Sequence, residues 1–458
     1  MNRVSRRAWA LLALMILLVG GLGFFLVEYV QNAPDWVTYP GSPHTQGSSQ
    51  LGAVVDRQGK TLMTLGGGTT YAEDAQVRKA MLHWLGDREG KIYAPLVASY
   101  MDEMSRYNMI TGLYSFEQKE GAIALTVSAE IQAAALKAMG DKQGVVAVYN
   151  YKTGEILCAV TTPNYDPNDP PDITDEELET NEAYDGLYWN RVTRSTYIPG
   201  SIFKVATAAA ALEQIEDIQE QTFQCTGRME YGPDAVTCEN AHGKVDLKKA
   251  LAKSCNCAFA QIAQQLGADA LEAYVEELQI TDSLSFDGLT TREGHFDLSD
   301  AADVQVAWAA IGQYTDQVNP AAYMAFMGAI ANGGVGVEPY LVSQVTRGED
   351  TVYQAKTTKS DRIMSKETAQ ILQELMQNNV ETVYGKKNFP GLTVCAKSGT
   401  SQVGGGKTSN ALFAGFVADA EYPLAFIVVV ENGGYGSSTC VPILSKVLKA
   451  CQTVMDAS

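Results

Sequence analysis

Basic residues are scarce in this chain. It carries 34 lysines and arginines against 53 aspartates and glutamates, a formal charge of −19. A nucleic-acid surface needs a basic stripe, so that class of partner is excluded; the acidity serves solubility. Histidine is scarcer still, with four scattered residues, His44, His83, His242 and His295. No two of the eight cysteines stand at C-x-x-C spacing. These two lacks argue against a zinc site, and neither a metal nor a cofactor is expected. A fixed-period repeat is missing, which excludes solenoids and propellers. There is no low-complexity tract beyond short glycine runs.

The chain does have size and one long apolar run. Its 458 residues are 46% hydrophobic, enough for a real core, and that length implies roughly two or three domains. Arg3, Arg6 and Arg7 precede an uncharged stretch, AWALLALMILLVGGLGFFLV, at residues 8–27. About 20 apolar residues cross a bilayer as a helix. The arginines before it and Glu28 after it predict a cytoplasmic N-terminus and an extracytoplasmic remainder. A cleaved signal peptide is the alternative, but VEYVQNAPDW offers no good small-x-small site. The eight cysteines fit an oxidising compartment. Cys225 and Cys238 flank TGRMEYGPDAVT, a hairpin with its turn near Gly232-Pro233-Asp234. Two free buried thiols remain the alternative there; the preferred expectation is a disulfide, contributing about 3 kcal/mol in the chain-entropy model.

Texture divides the chain at about residue 120. Residues 32–120 are mixed and polar, with a strand–turn–strand pattern in LGAVVDRQGKTLMTLGGG and a helical one in DAQVRKAMLHWLG. They read as a pedestal or interaction module. From 121 on, GAIALTVS is strand-like and AEIQAAALKAMGD is a helix stopping at Gly140. GVVAVYNYKTGEILCAVTT reads as two strands around a turn. The stretch from about 200 to 340 is dominated by helical patterns, and strands return in GLTVCAKSGTSQV, NALFAGFVAD and PLAFIVVVEN before a last helix. Strands at both ends of a helical middle predict one sheet assembled from distant segments, with a helical subdomain inserted.

The chemistry concentrates at STYIPGSIFKVATAAAALEQ, where Ser201 and Lys204 stand three apart at the start of a helix-forming run. Residues at that spacing share a helix face. A serine hydroxyl needs a base to become a nucleophile, and a lysine is a base only when neutral. Bringing its pKa from about 10.4 to about 7 disfavours the ammonium by roughly 4–5 kcal/mol. Burial, a second cation and a helix N-terminus all push that way. S-x-x-K alone also fits a helix cap with a solvated lysine. Two further signals decide. Ser254 and Asn256 stand two apart about fifty residues on, and Lys397, Ser398, Gly399 and Thr400 fall on a late strand. S-x-x-K, S-x-N and K-S/T-G in that order are the signature of penicillin-recognising serine acyltransferases. Lys152-Thr153-Gly154 also matches K-T-G but reads as a hairpin turn. The GGGKTS at 404–409 has Ser401 where a phosphate loop needs glycine.

With these motifs the sequence resembles the class B penicillin-binding proteins, monofunctional D,D-transpeptidases of bacterial wall synthesis. GAVVDRQGKTLM, LTVSAEIQAAALKAM, GEILCAVTTPNYDPN, NRVTRSTYIPGSIFK and CTGRMEYGPDAVTCENAHGKVDLKKALAKSCNCAFAQIA carry the resemblance over most of the chain. Ile202 and Leu412 depart from the threonine and tryptophan common at those places. The resemblance implies an α/β fold of α+β type, like the serine β-lactamases, with a central antiparallel sheet and a helical subdomain. Its expected parts are an anchor at 1–31, a pedestal at 32–120 and a transpeptidase domain at 121–458. It implies roles as well: Ser201 the acylated nucleophile and Lys204 its base. Ser254 relays the proton, Asn256 holds Lys204 and the substrate amide, and Lys397 is the second cation. Ser398 and Thr400 bind the donor's terminal carboxylate, and the N–H groups of Ser201 and Thr400 form the oxyanion hole. Gly399 leaves room for substrate. The partners implied are peptidoglycan stem peptides, β-lactams and a multipass membrane glycan polymerase. A membrane-anchored β-lactamase, a penicillin sensor and a non-catalytic wall scaffold are the rival readings.

Overall fold

The structure is a computed structural model that describes residues 2–32, 36–37, 50–66, 69–93, 95–104, 106–108, 113–115 and 121–457. Parts of the expected pedestal, and His44, lie outside the described residues. The first helix, α1 (Asn2–Asn32), includes one stretch among the described residues long and apolar enough to cross a membrane, Val4–Gln31, of mean hydropathy 2.7.

The centre of the molecule is a five-stranded sheet. Its strands are β1 (Gly144–Asn150), β2 (Ile156–Thr162), β3 (Val394–Ser401), β4 (Asn410–Val417) and β5 (Leu424–Val430). They run antiparallel in the order β3-β4-β5-β1-β2. Two segments more than 200 residues apart in sequence thus share one sheet, as the return of strand patterns predicted. β5 reads LAFIVVV and is buried throughout, because helices cover both faces. Side chains alternate along it. Leu424, Phe426 and Val428 enter a core with α2 (Ala129–Met139) and α7 (Gly436–Asp456); Ala425, Ile427 and Val429 enter the core that holds α5 (Pro320–Ala331). Each buried Leu, Ile, Val or Phe among them contributes about 1.5–3 kcal/mol over an exposed one. Gly328 of α5 is required by this packing: a Cβ there would meet the ring and hydroxyl of Tyr149 on β1.

A second sheet has six strands, in the order Asp350–Gln354, Val342–Arg347, Gly121–Leu125, Gln50–Val55, Thr61–Gly66, Thr70–Tyr71. Gln50–Val55 lies parallel to Gly121–Leu125. Buried Asp56 fastens the join by accepting N–H bonds from Gln58, Lys60 and Ala129, the first residue of α2. The division expected at residue 120 therefore runs through one sheet, not between two separate sheets.

Between β2 and β3 lie most of the helices. Those that matter for the site are α3 (Lys204–Gln214), α4 (Asn256–Leu266) and α6 (Lys366–Asn379). The hairpin expected between the two cysteines forms, with Arg228–Tyr231 paired to Asp234–Thr237 around Gly232-Pro233.

Candidate active site

Pro199 introduces a 3-10 turn, Gly200–Ile202, and the α-helix α3 begins at Lys204. The serine thus sits on the turn ahead of the helix, not in its first α-turn. The turn is clamped from three sides. Gly200 N–H donates to Gly312 O, Tyr323 OH donates to Ile202 O, and Gly200, at φ +53°, lies so near Thr400 that a Cβ there would meet its carbonyl. That close approach sets the Ser201 turn against β3. The approach to the turn is held by Glu431, which accepts two bonds from Arg191 and one from the Tyr197 hydroxyl.

Lys204 is 0% exposed. Its Nζ lies 2.9 Å from Ser201 Oγ, 2.9 Å from Ser254 O, 3.0 Å from Ser254 Oγ and 2.6 Å from Asn256 Oδ1. A neutral amine has two N–H bonds and one lone pair. The Asn256 and Ser254 carbonyl oxygens can only accept, so they take the two N–H groups and leave the lone pair for a hydroxyl proton. Asn256 is held in turn by its Nδ2 donating to Thr237 O at 2.6 Å. Lys397 closes the site from β3, with Nζ 3.2 Å from Ser254 Oγ and donating to Ser398 O at 2.8 Å. Burial, then the Lys397 charge, push the Lys204 ammonium well below the ordinary lysine range. Burial pulls Lys397 down to about 7. Ser254 itself has φ +51°, a conformation costly for a residue with a side chain and characteristic of functional turns.

The five residues Ser201, Lys204, Ser254, Asn256 and Lys397 therefore converge from the starts of α3 and α4, the turns just before them, and β3. Ser398 and Thr400 alternate to the other side of β3 from Lys397. Ser398 Oγ lies 3.0 Å from the Tyr384 hydroxyl, and Thr400 Oγ1 accepts from Gly436 N–H at 3.4 Å. Gly399 is glycine for a reason other than the one expected: a Cβ there would stand 2.7 Å from Pro199 O and 3.1 Å from the Ile202 side chain. Its smallness seats the Ser201 turn on β3. Tyr384, Gln313 and Glu431 support the site without any spacing signal in the sequence. Tyr384 OH accepts Ser398 N–H at 2.9 Å, and Gln313 Nε2 donates to Thr400 O at 3.1 Å.

The expected Cys225–Cys238 bridge is not formed. The sulfurs stand 3.7 Å apart and all eight cysteines are free; a bond needs about 2.05 Å. Three further donors, Cys255, Cys257 and His242, crowd the same space and compete for these sulfurs.

The second K-T-G is a turn. Lys152 is exposed between β1 and β2, and its Nζ bonds Asn332 Oδ1 at 2.7 Å. Lys152→Ala should leave the penicillin acylation rate unchanged within about twofold, consistent with a surface change of at most about 0.5 kcal/mol. A large loss of rate in a folded variant would show that the wrong motif had been assigned.

The sequence profile of the penicillin binding protein transpeptidase domain matches residues 144–449. The chain is 30% identical over 364 residues to peptidoglycan D,D-transpeptidase PbpA of Mycobacterium tuberculosis, covering 73% of each chain. It is 26% identical over 423 residues to stage V sporulation protein D of Bacillus subtilis, covering 87% of this chain and 61% of that one. The structure of penicillin-binding protein A from M. tuberculosis as a ceftriaxone acyl-enzyme aligns with a TM-score of 0.75 at 24% identity. That alignment covers 88% of this chain and 98% of the other.

Proposed function

Because the chain belongs to the penicillin-binding protein transpeptidase family, we propose that it is a membrane-anchored peptidoglycan D,D-transpeptidase working through a Ser201 acyl-enzyme. One observation carries the reading: a fully buried lysine amine beside a second buried lysine, 2.9 Å from a serine hydroxyl. Neutral Lys204 takes the Ser201 proton as Oγ attacks the penultimate D-Ala carbonyl of a donor stem peptide. The backbone N–H groups of Ser201 and Thr400 meet the oxyanion, each such donor being worth about 3–4 kcal/mol. Ser254, within reach of both lysines, passes the proton to the departing D-alanine. An amine of a neighbouring stem peptide then resolves the ester by the reverse path. Ser398 and Thr400, whose side chains are partly exposed along β3, receive the donor's terminal carboxylate. A β-lactam acylates the same serine and leaves no departing group.

A fluorescent-penicillin labelling time course tests this. Label that persists for hours after washing supports a transpeptidase. Rapid loss with turnover would make the protein a lactamase, and no label would make it a scaffold.

The anchor serves partnership. The three N-terminal arginines favour a cytoplasmic end for α1, with residues from about 32 onward outside, as pedestal and transpeptidase domain. A Cβ on Gly20, Gly21 or Gly23 would meet nothing within 4 Å among the described residues, and a surface of such small residues lets a second membrane helix approach closely. A multipass glycan polymerase is the partner this reading implies. An exported form lacking residues 1–31 should still acylate with penicillin but fail to replace the full protein in cells. Full complementation by that form would refute the required membrane partnership.

A further inference from the structure

We propose that Cys225, Cys238, His242 and Cys255 form a closed tetrahedral zinc site that holds the Ser254-Cys255-Asn256 turn in place. Their ligand atoms all lie within 4.8 Å of one another. They come from separate places in the chain. Cys225 ends the strand Phe223–Cys225, which pairs with Gly243–Val245. Cys238 follows the hairpin strand Asp234–Thr237, and Cys255 is the N-cap of α4. His242 stands just before the strand Gly243–Val245.

The distances match metal ligation. A tetrahedron with metal–sulfur bonds of about 2.3 Å has sulfur–sulfur edges of about 3.8 Å. Cys225 and Cys238 Sγ are 3.7 Å apart, Cys238 and Cys255 Sγ 3.9 Å, and Cys225 Sγ lies 3.5 Å from His242 Nδ1. Cys257 Sγ is 3.6 Å from Cys238 Sγ but stands outside the mutually close four. The surrounding backbone is arranged for thiolates. His242 N–H points at Cys225 Sγ, Cys257 N–H at Cys238 Sγ and Ala258 N–H at Cys255 Sγ, each at 3.4 Å. Donors of this kind orient and stabilise ligating sulfurs. The other four cysteines, Cys158, Cys395, Cys440 and Cys451, pack in the apolar cores and act as small hydrophobes.

Three thiolates and an imidazole are a soft, borderline set that suits zinc. Four protein donors leave no open position, so the ion is structural and takes no part in acyl transfer. Its effect on the active site is positional. Cys255 lies between Ser254 and Asn256, and Cys238 follows Thr237, whose carbonyl anchors the Asn256 side chain. One ion would tie both ends of that contact and secure the left-handed backbone of Ser254.

The test uses the full chain in detergent, purified without chelator, as wild type, His242→Ala, Cys255→Ser and a Cys158→Ser control. Elemental analysis should find about one zinc ion per chain in wild type and control, and a loss of most of it in the other two. Stripping the wild type with a thiol-reactive mercurial and a chelator should lower its unfolding midpoint, and thiol regeneration with added zinc should restore it. The proposal is overturned if zinc-supplemented wild type carries under about a tenth of an ion, or if both ligand variants keep the full complement. It is equally overturned if intact mass and peptide mapping show a Cys225–Cys238 disulfide. Metal content is read without substrate, so these outcomes are independent of whether Ser201 acylates.

Discussion

Ser201→Ala is expected to abolish covalent penicillin labelling while the protein stays folded. Removing the nucleophile of a serine acyl enzyme costs on the order of 10⁶-fold in rate, so no label should appear on any practical timescale. The structural cost is small for a definite reason. Lys204 keeps the Ser254 and Asn256 oxygens when the Ser201 hydroxyl is gone, so no buried donor is left without an acceptor. The loss is one hydrogen bond, worth about 1 kcal/mol. In a chain of this size that lowers the unfolding midpoint by only a few degrees. Labelled peptides are then mapped by mass spectrometry. Ser254 is the informative competitor, because its Oγ lies 3.0 Å from the same amine. A stable penicilloyl group on Ser254, or on any other serine of the variant, would overturn the assignment of Ser201.

What the sequence disclosed and what it hid divide along a physical line. Ser201 and Lys204 were legible because both lie within one turn of chain, where spacing alone sets geometry. Lys397 was legible through its own short motif, although its role depends on β3 meeting α3 and α4. The strands of the five-stranded sheet announced themselves by unbroken apolar runs such as LAFIVVV. Their neighbours did not, since strand pairing across long separations carries no local signal. The parallel pairing of Gln50–Val55 with Gly121–Leu125 is the clearest instance, joining strands from either side of the division expected at residue 120. Tyr384, Gln313 and Glu431 stayed hidden for the same reason: each supports the site through a contact made only after folding. The cysteines went further. The chain has no C-x-x-C spacing, and its local pattern points to a single bridge instead. The fold gathers Cys225, Cys238, His242 and Cys255 from separated segments, a grouping that spacing cannot reveal. Gly399 is expected from the sequence to leave room for substrate; in the fold a Cβ there would meet Pro199 O and the Ile202 side chain.

Lys204→Arg should be nearly inactive in acylation at every workable pH. The site needs a neutral amine at the moment of attack, and guanidinium stays protonated. In the wild type two causes favour the neutral form of Lys204: burial first, then the charge of Lys397, whose Nζ lies 3.2 Å from the shared Ser254 Oγ. Any thiolate among Cys238, Cys255 and Cys257 pulls the other way. The sign follows directly. Below its depressed pKa the amine is protonated and cannot take the Ser201 proton, so acylation is slow; as pH rises through that value the base appears and the rate climbs. The climb should be centred well below the ordinary lysine value of about 10.4. Lys397→Ala removes a cation that helps hold Lys204 neutral, so it should move the climb to higher pH. It also weakens carboxylate binding, and its defect should shrink only partly in alkali. The two amines are coupled, so the profile belongs to the pair and not to either residue. Stopped-flow acylation from about pH 6 to 10, on wild type and both variants, makes the measurement. Near-normal acylation by Lys204→Arg would mean that another group takes the serine proton, and that the 2.9 Å contact between Lys204 and Ser201 holds the turn without doing its chemistry.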